Sequence, residues 1–194
     1  MAGRLVEISG QRAAANLTVA FGLVLEAQKR NEPVAWVTLQ QSTFYPPDVA
    51  ASGVSLAHLV VVRVPGTRSA TRATVELTRS GGFDLVILDL GPEAIRDAAI
   101  QDKLRNSQKR YPSRLSTPLL TKLVGLARKH ATAVVVLTEK NGRTSSVSSL
   151  ISLRAETRRN KDAPCELEVE ILKDKRRGPG RLHHEVCRAP AGLR

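Results

Sequence analysis

Aromatic residues are scarce in this chain, with one Trp, two Tyr and three Phe among 194 residues. The core must then be built from Val, Leu, Ile and Ala, which suits a buried parallel sheet flanked by helices. Long apolar runs are also missing. None approaches the roughly 18 residues a membrane span needs, and the N-terminus has no charged, apolar and cleavage segments of a signal peptide, so the reading is a cytoplasmic protein. Cysteine is nearly absent. Cys165 and Cys187 show neither metal-ligand nor redox spacing and read as two reduced thiols. His183 and His184 are adjacent, which is not ligand spacing, so no metal is expected, and no cofactor is expected either. The length fits one domain with a sizeable core and is too short for two of ordinary size.

Acidic residues are short in one half only. Residues 1–95 hold eight Lys/Arg against eight Asp/Glu, whereas residues 96–145 hold eleven against three, within a formal net charge of +12. A basic block of this kind fits a polyanion such as DNA or an acidic protein partner, and also a solvated surface with no target.

Strand and helix patterns alternate along the chain. Arg4-Leu-Val-Glu-Ile-Ser-Gly10 reads as a short strand feeding a glycine turn, and residues 12–30 as a helix closed by Lys29-Arg30. Further strands are expected at 33–39, 58–64, 83–89 and 131–137, with helices near Asp48, over 68–80 and over 116–130. Residues 91–112 are polar and basic, and Glu139 to Ser149, rich in Ser, Thr and Gly, reads as a mobile loop. Residues 151–157 and 165–172 alternate like half-exposed antiparallel strands at a sheet edge. The fold class is α/β, a mostly parallel twisted sheet flanked by helices with antiparallel strands at its C-terminal edge. One domain over 1–181 and a flexible tail over 182–194 are expected, the tail having too little apolar content to pack extensively.

A strand, glycine turn and helix at the start of an α/β domain is where nucleotide-binding folds place a phosphate loop, because backbone N–H groups and the helix dipole converge there. The motif needs G-x-x-x-x-G-K-[ST]. Here Gly10-Gln-Arg-Ala-Ala-Ala15-Asn16-Leu17-Thr18 keeps only the first glycine.

The order of segments resembles the RecA recombinase core nearly end to end. Val6-Glu-Ile-Ser-Gly10 is similar to that family's first core strand, and Glu26-Ala-Gln-Lys-Arg with Pro33-Val-Ala-Trp-Val to its next helix and strand. Arg79-Ser-Gly-Gly-Phe-Asp-Leu-Val-Ile-Leu-Asp89 resembles the helix end and Walker B strand, and Ile171-Leu-Lys173-Asp-Lys175 the Lys-x-Lys segment that reaches a neighbouring subunit's nucleotide. Carried over residue by residue, the resemblance implies a degenerate nucleotide site. Ala15 stands at the second loop glycine, Asn16 at the phosphate-binding lysine, Leu17 at the magnesium-ligating hydroxyl and Gln40 at the catalytic glutamate. Gly10 and Asp89 survive. An amide cannot take a proton from water, and without the lysine the β/γ-phosphates lose their cation, so a pseudo-ATPase with no catalytic residue is expected. Thr18 is no substitute for the hydroxyl, since one helical step turns a side chain by about 100°.

In RecA-type proteins the loops that touch single-stranded DNA follow the Walker B strand and the strand after it. The matching loops here carry Lys103, Arg105, Lys109, Arg110 and Arg114 with Tyr111 as a stacking group, then Lys140 and Arg143. These are the candidates for DNA or partner binding, through non-specific and salt-sensitive phosphate contacts, although one tyrosine is a poor stacking platform. Lys173, Lys175, Arg176, Arg177 and Arg181 are the candidates for a subunit or partner interface, or form an exposed hairpin turn. The chain starts almost on the first core strand, so a long self-filament is not expected. Among RecA-like groups with a dead phosphate loop, the chain resembles ImuA, an accessory of damage-induced (SOS) mutagenesis. That resemblance implies a nucleoid-associated adaptor in translesion synthesis whose partners are RecA recombinase, ImuB and through it an error-prone polymerase, with single-stranded DNA. The alternatives are a SulA-like division inhibitor, an atypical ATPase or a recombinase regulator.

Overall fold

The computed structural model describes residues 2–11, 13–42, 44–91, 115–160, 163 and 166–186. Its elements run β1 (Leu5–Gly10), α1 (Ala13–Lys29), β2 (Val34–Leu39), α2 (Pro46–Ala51), a single 3-10 turn (Leu56–His58), β3 (Leu59–Val64), α3 (Thr67–Ser80), β4 (Leu85–Asp89), α4 (Thr117–His130), β5 (Ala133–Glu139), β6 (Leu153–Arg159), β7 (Glu166–Asp174) and β8 (Leu182–Val186). One sheet holds all eight strands in the order β3-β2-β4-β5-β1-β6-β7-β8. The first six pair in parallel, and β7 and β8 join antiparallel at one edge. This is the α/β architecture expected from the alternation of apolar runs and helical stretches.

The central strands β2, β4 and the first six residues of β5 are buried on both faces, which explains why they read as continuous apolar segments rather than alternating ones. Two apolar clusters lie on opposite faces of the sheet. One is covered by Ala20, Phe21, Val24 and Ala27 of α1 and Val49 of α2. The few aromatics concentrate there, with the Trp36 ring centroid 5.4 Å from Phe21 and 5.1 Å from Phe44. The other is covered by Ala70 and Val75 of α3 and Leu120, Leu123 and Ala127 of α4.

Helix α3 buries threonines where apolar residues would be usual. Thr71, Thr74 and Thr78 are at most 1% exposed, and each hydroxyl donates to the carbonyl four residues earlier, at 2.8, 2.9 and 2.8 Å. Bonding back into the helix leaves the methyl groups to pack and satisfies the donors. Gly81, at φ +69°, ends the helix in the left-handed region that glycine tolerates.

Two expectations are corrected. Residues 182–186, assigned to a flexible tail, form β8 and pair with β7. All five are exposed, so backbone pairing with β7 holds the strand, joined by a long His184–Glu168 contact at 3.9 Å, and composition carries no sign of it. The stretch after β5, expected to be mobile, is tied down by the buried network described below. Among the described residues no helix is long and apolar enough to cross a membrane.

Candidate functional site

The carboxyl ends of β1, β4 and β5 lie side by side, and the residues singled out at the glycine turn collect there. β1 ends at Gly10 and α1 begins at Ala13, so the strand passes almost directly into the helix where a phosphate loop would need room to wrap. Asn16 is 3% exposed. Its Nδ2 donates to the Thr138 carbonyl at 2.8 Å, and its Oδ1 accepts from the Thr157 hydroxyl. Both ends of the amide are thus used. Gly10 accommodates this plug, because a Cβ there would stand 2.7 Å from both Asn16 Oδ1 and Thr157 Oγ1. Ala15 is buried, and Leu17 packs against the α1-side core. The Thr18 hydroxyl accepts from Arg159 at 3.2 Å. Gln40 is exposed at the end of β2, with its backbone N–H bonded to Val64.

Asp89 is 3% exposed and accepts from the Thr38 hydroxyl at 3.0 Å and the Gly91 N–H at 3.1 Å. Burial pushes its carboxyl above the ordinary aspartate range, with the two hydrogen bonds opposing that push. A pKa raised by folding contributes stability that is fullest below the unfolded value of about 4 and is lost as pH rises through the folded value. Asp89→Asn keeps the shape without the charge. It is expected to raise the urea midpoint at pH 7 and to lose that advantage as the pH falls towards 4. An unchanged midpoint at pH 7 would mean that the hydrogen bonds outweigh burial.

A second polar network lies beside this one, and it corrects the assignment of Lys140. That residue, expected to face DNA or a partner, has a side chain only 11% exposed, with Nζ 2.6 Å from Oε1 of the fully buried Glu7. It also donates to the Ser145 carbonyl at 2.6 Å. Burial lowers the lysine's pKa, opposed by the attraction of Glu7. Glu7 further accepts from Thr138 Oγ1 at 3.1 Å, Ser146 Oγ at 2.5 Å and the Val147 N–H at 3.1 Å. Arg154, 5% exposed, donates to the carbonyls of Thr144 and Asn141, while Glu156 accepts from the Gly142 N–H at 2.6 Å. The stretch from Lys140 to Val147 is therefore moored to β1 and β6. A glutamate in the middle of an otherwise apolar strand was the available signal for a buried cation.

Arg143 remains exposed on this stretch. Lys103, Arg105, Lys109, Arg110, Tyr111 and Arg114 lie outside the described residues. At the other basic cluster, Lys173 and Lys175 both direct Nζ at the Ser149 carbonyl, at 3.4 and 2.9 Å. Arg181 pairs with Asp174 at 2.7 Å, as does Arg4. The Arg176 backbone N–H and these two guanidinium groups hold the Asp174 carboxyl far below the usual carboxylate range. Three of the five candidate interface cations are thus engaged within the fold, and the exposed side chains of Arg176 and Arg177 sit on the turn between β7 and β8. Among the described residues no group of three or more His, Cys, Asp or Glu is placed to hold a metal ion.

Comparison with known proteins places this geometry. A profile of the RecA N-terminal domain matches residues 1–146. The chain is 27% identical to the protein RecA of Fusobacterium nucleatum over 137 residues, covering 71% of this chain and 36% of that one. With the protein RecA of Syntrophus aciditrophicus it shares 27% over 140 residues, covering 71% and 40%. With that of Clostridium acetobutylicum it shares 30% over 127 residues, covering 66% and 36%. The chain spans about two fifths of the length of the relatives it matches. A crystal structure of the RadB recombinase aligns with a TM-score of 0.67 at 16% identity, over 94% of this chain and 86% of that one, which is a likeness of fold. The profile match begins before β1 and runs past β5, across the same strands whose ends hold Asn16 and Asp89, and on that ground the chain belongs to the family of the RecA N-terminal domain.

Proposed function

We propose that this protein is a non-catalytic, RecA-like adaptor of damage-induced mutagenesis, similar to ImuA, working in the cytoplasm at the nucleoid. It docks on RecA recombinase and on ImuB, and through ImuB on an error-prone polymerase. The observation that carries the reading is Asn16. A buried amide with both ends bonded stands where a phosphate-binding lysine would stand, and a core leucine replaces the magnesium-ligating hydroxyl. Such a site offers a nucleotide neither a cation for the β/γ-phosphates nor a ligand for its metal. In this reading the RecA frame is kept for its surfaces. The mooring of Lys140 favours protein docking over a second DNA loop, since only Arg143 of that pair keeps a free outward charge.

The test is a titration of the protein against RecA with and without single-stranded DNA, alongside an ATPase assay. Binding to RecA with no ATP turnover is the expected result. An Arg110/Arg114/Arg143→Ala variant, which leaves Lys140 in place, is expected to lose only the DNA-dependent part. ATP turnover would overturn the reading in favour of an atypical ATPase. Tight binding to the tubulin-like division protein without affinity for RecA would replace it with a division inhibitor.

A further inference from the structure

We propose that two copies of this chain join edge to edge through β8, the strands running antiparallel about a two-fold axis at His184, so that one sheet continues into the other. The inference is independent of the adaptor reading. β8 is the last strand of the sheet, and among the described residues no strand pairs with its outer edge. All five of its side chains are exposed. An open edge is a template for another strand, which proteins commonly block with lysine or proline. Leu182–Val186 holds neither.

The register fixes which backbone groups the edge offers. The Ile171 N–H donates to the Arg181 carbonyl at 2.8 Å, so Arg181 turns its backbone groups towards β7. Because these groups alternate in direction along a strand, His183 and Glu185 also face β7, opposite Val169 and Leu167. Leu182, His184 and Val186 therefore aim their N–H and C=O groups outward. A second β8, laid antiparallel with His184 opposite His184, engages all of these groups and sets Leu182 of each copy against Val186 of the other. The pairs between them, His183 with Glu185, fall at non-hydrogen-bonded positions, where Cα atoms approach to about 4.5 Å and side chains interact most closely.

The side chains are self-complementary in this register, and that selects a second copy as the occupant. An imidazole N–H of His183 meets the Glu185 carboxylate twice, once on each side of the axis. On the other face Leu182 and Val186, 50% and 82% exposed, cover each other. The two His184 rings meet on the axis, each with a Glu168 carboxylate 3.9 Å away. The opposite edge strand, β3, offers no such match, since its one charged residue, Arg63, has no acidic residue in the strand to meet. A two-fold contact closes at two copies and does not propagate. Five residues a side bury less than the about 1,200 Å² of stable interfaces. The net charge of +12 on each copy also opposes the contact, so the dimer is weak and favoured by salt that screens the repulsion.

The test is sedimentation equilibrium of the full chain in moderate salt, over concentrations reaching the millimolar range, where a monomer–dimer equilibrium is expected. His183→Glu sets carboxylates against each other at both positions and is expected to weaken dimerisation about tenfold. His183→Glu/Glu185→Lys restores opposite charges and is expected to recover the parent's affinity, which a merely structural disturbance of β8 would not do. His184→Pro removes an outward N–H and leaves the bonds between β8 and β7 in place. It is expected to abolish the dimer while circular dichroism reports the parent's fold. Hydrogen exchange gives the local readout, with the amides of His184 and Val186 gaining protection as concentration rises and those of His183 and Glu185 protected throughout. A chain that stays monomeric, a dimer that persists in His184→Pro, or a double variant that dimerises no better than His183→Glu overturns the proposal.

Discussion

Replacing Lys140 by methionine is expected to lower the free energy of unfolding by about 3–5 kcal/mol, the range found when one partner of a buried ion pair is removed. The Glu7 carboxylate has no exposure at all. Its other hydrogen-bond donors are Thr138, Ser146 and Val147, and in the variant it loses the ammonium that compensates its charge. The attraction between two buried charges offsets a large desolvation penalty only while both are present. Glu7→Gln/Lys140→Met removes both charges and is expected to recover most of the loss. Urea unfolding of the parent, both single variants and the double variant measures the coupling directly. A loss below about 1 kcal/mol for Lys140→Met, the size expected of an exposed pair, would show that water reaches Glu7. Hydrogen exchange provides a local readout, since the amides of Gly142 and Val147 are held by Glu156 and Glu7 and that of Val147 should lose protection in the variant.

Asn16→Lys is the second substitution with a large expected effect, and it does not bring nucleotide binding back. The change leaves the Thr138 carbonyl and the Thr157 hydroxyl without the partners they have now, at about 1–3 kcal/mol for each buried group left unmade. It also places an ammonium group where the native side chain is 3% exposed, which costs several kcal/mol more unless the chain moves. Against a total stability of about 5–15 kcal/mol for a domain, the variant is expected to be largely unfolded or to melt far below the parent. Circular dichroism on heating reads the loss, and equilibrium dialysis with ATP and magnesium reads the binding. A folded variant that binds ATP would mean that the end of β1 can open into a phosphate loop, and would undercut the argument from Asn16.

The strands legible in the sequence were those buried on both faces. Val34–Leu39 and Leu85–Asp89 are apolar almost without interruption and lie at the centre of the sheet, where burial dictates composition. The order of these segments was enough to place Asn16, Leu17 and Asp89 at the carboxyl ends of the right strands or the helix beside them. Pairings decided by three-dimensional proximity were not legible. Lys140 reads as one more cation of a basic stretch, and only the register of β1 beside β5 brings it to Glu7. β8 carries neither apolar periodicity nor burial, so nothing in its side chains announces a strand.

The place of β1 in the sheet governs how the chain can be made. Its two neighbours are β5 and β6, which pair with it through Leu5 to Val134 and Val6 to Leu153. During synthesis β1 therefore waits, with both edges open, until β5 and β6 have been translated. Contacts this distant in sequence are slow to form, and unpaired strand edges in the interval favour aggregation. A nascent chain stopped before β6 lacks one wall of the sheet's centre, so synthesis through β6 and shielding of the early strands by a chaperone become conditions for a good yield.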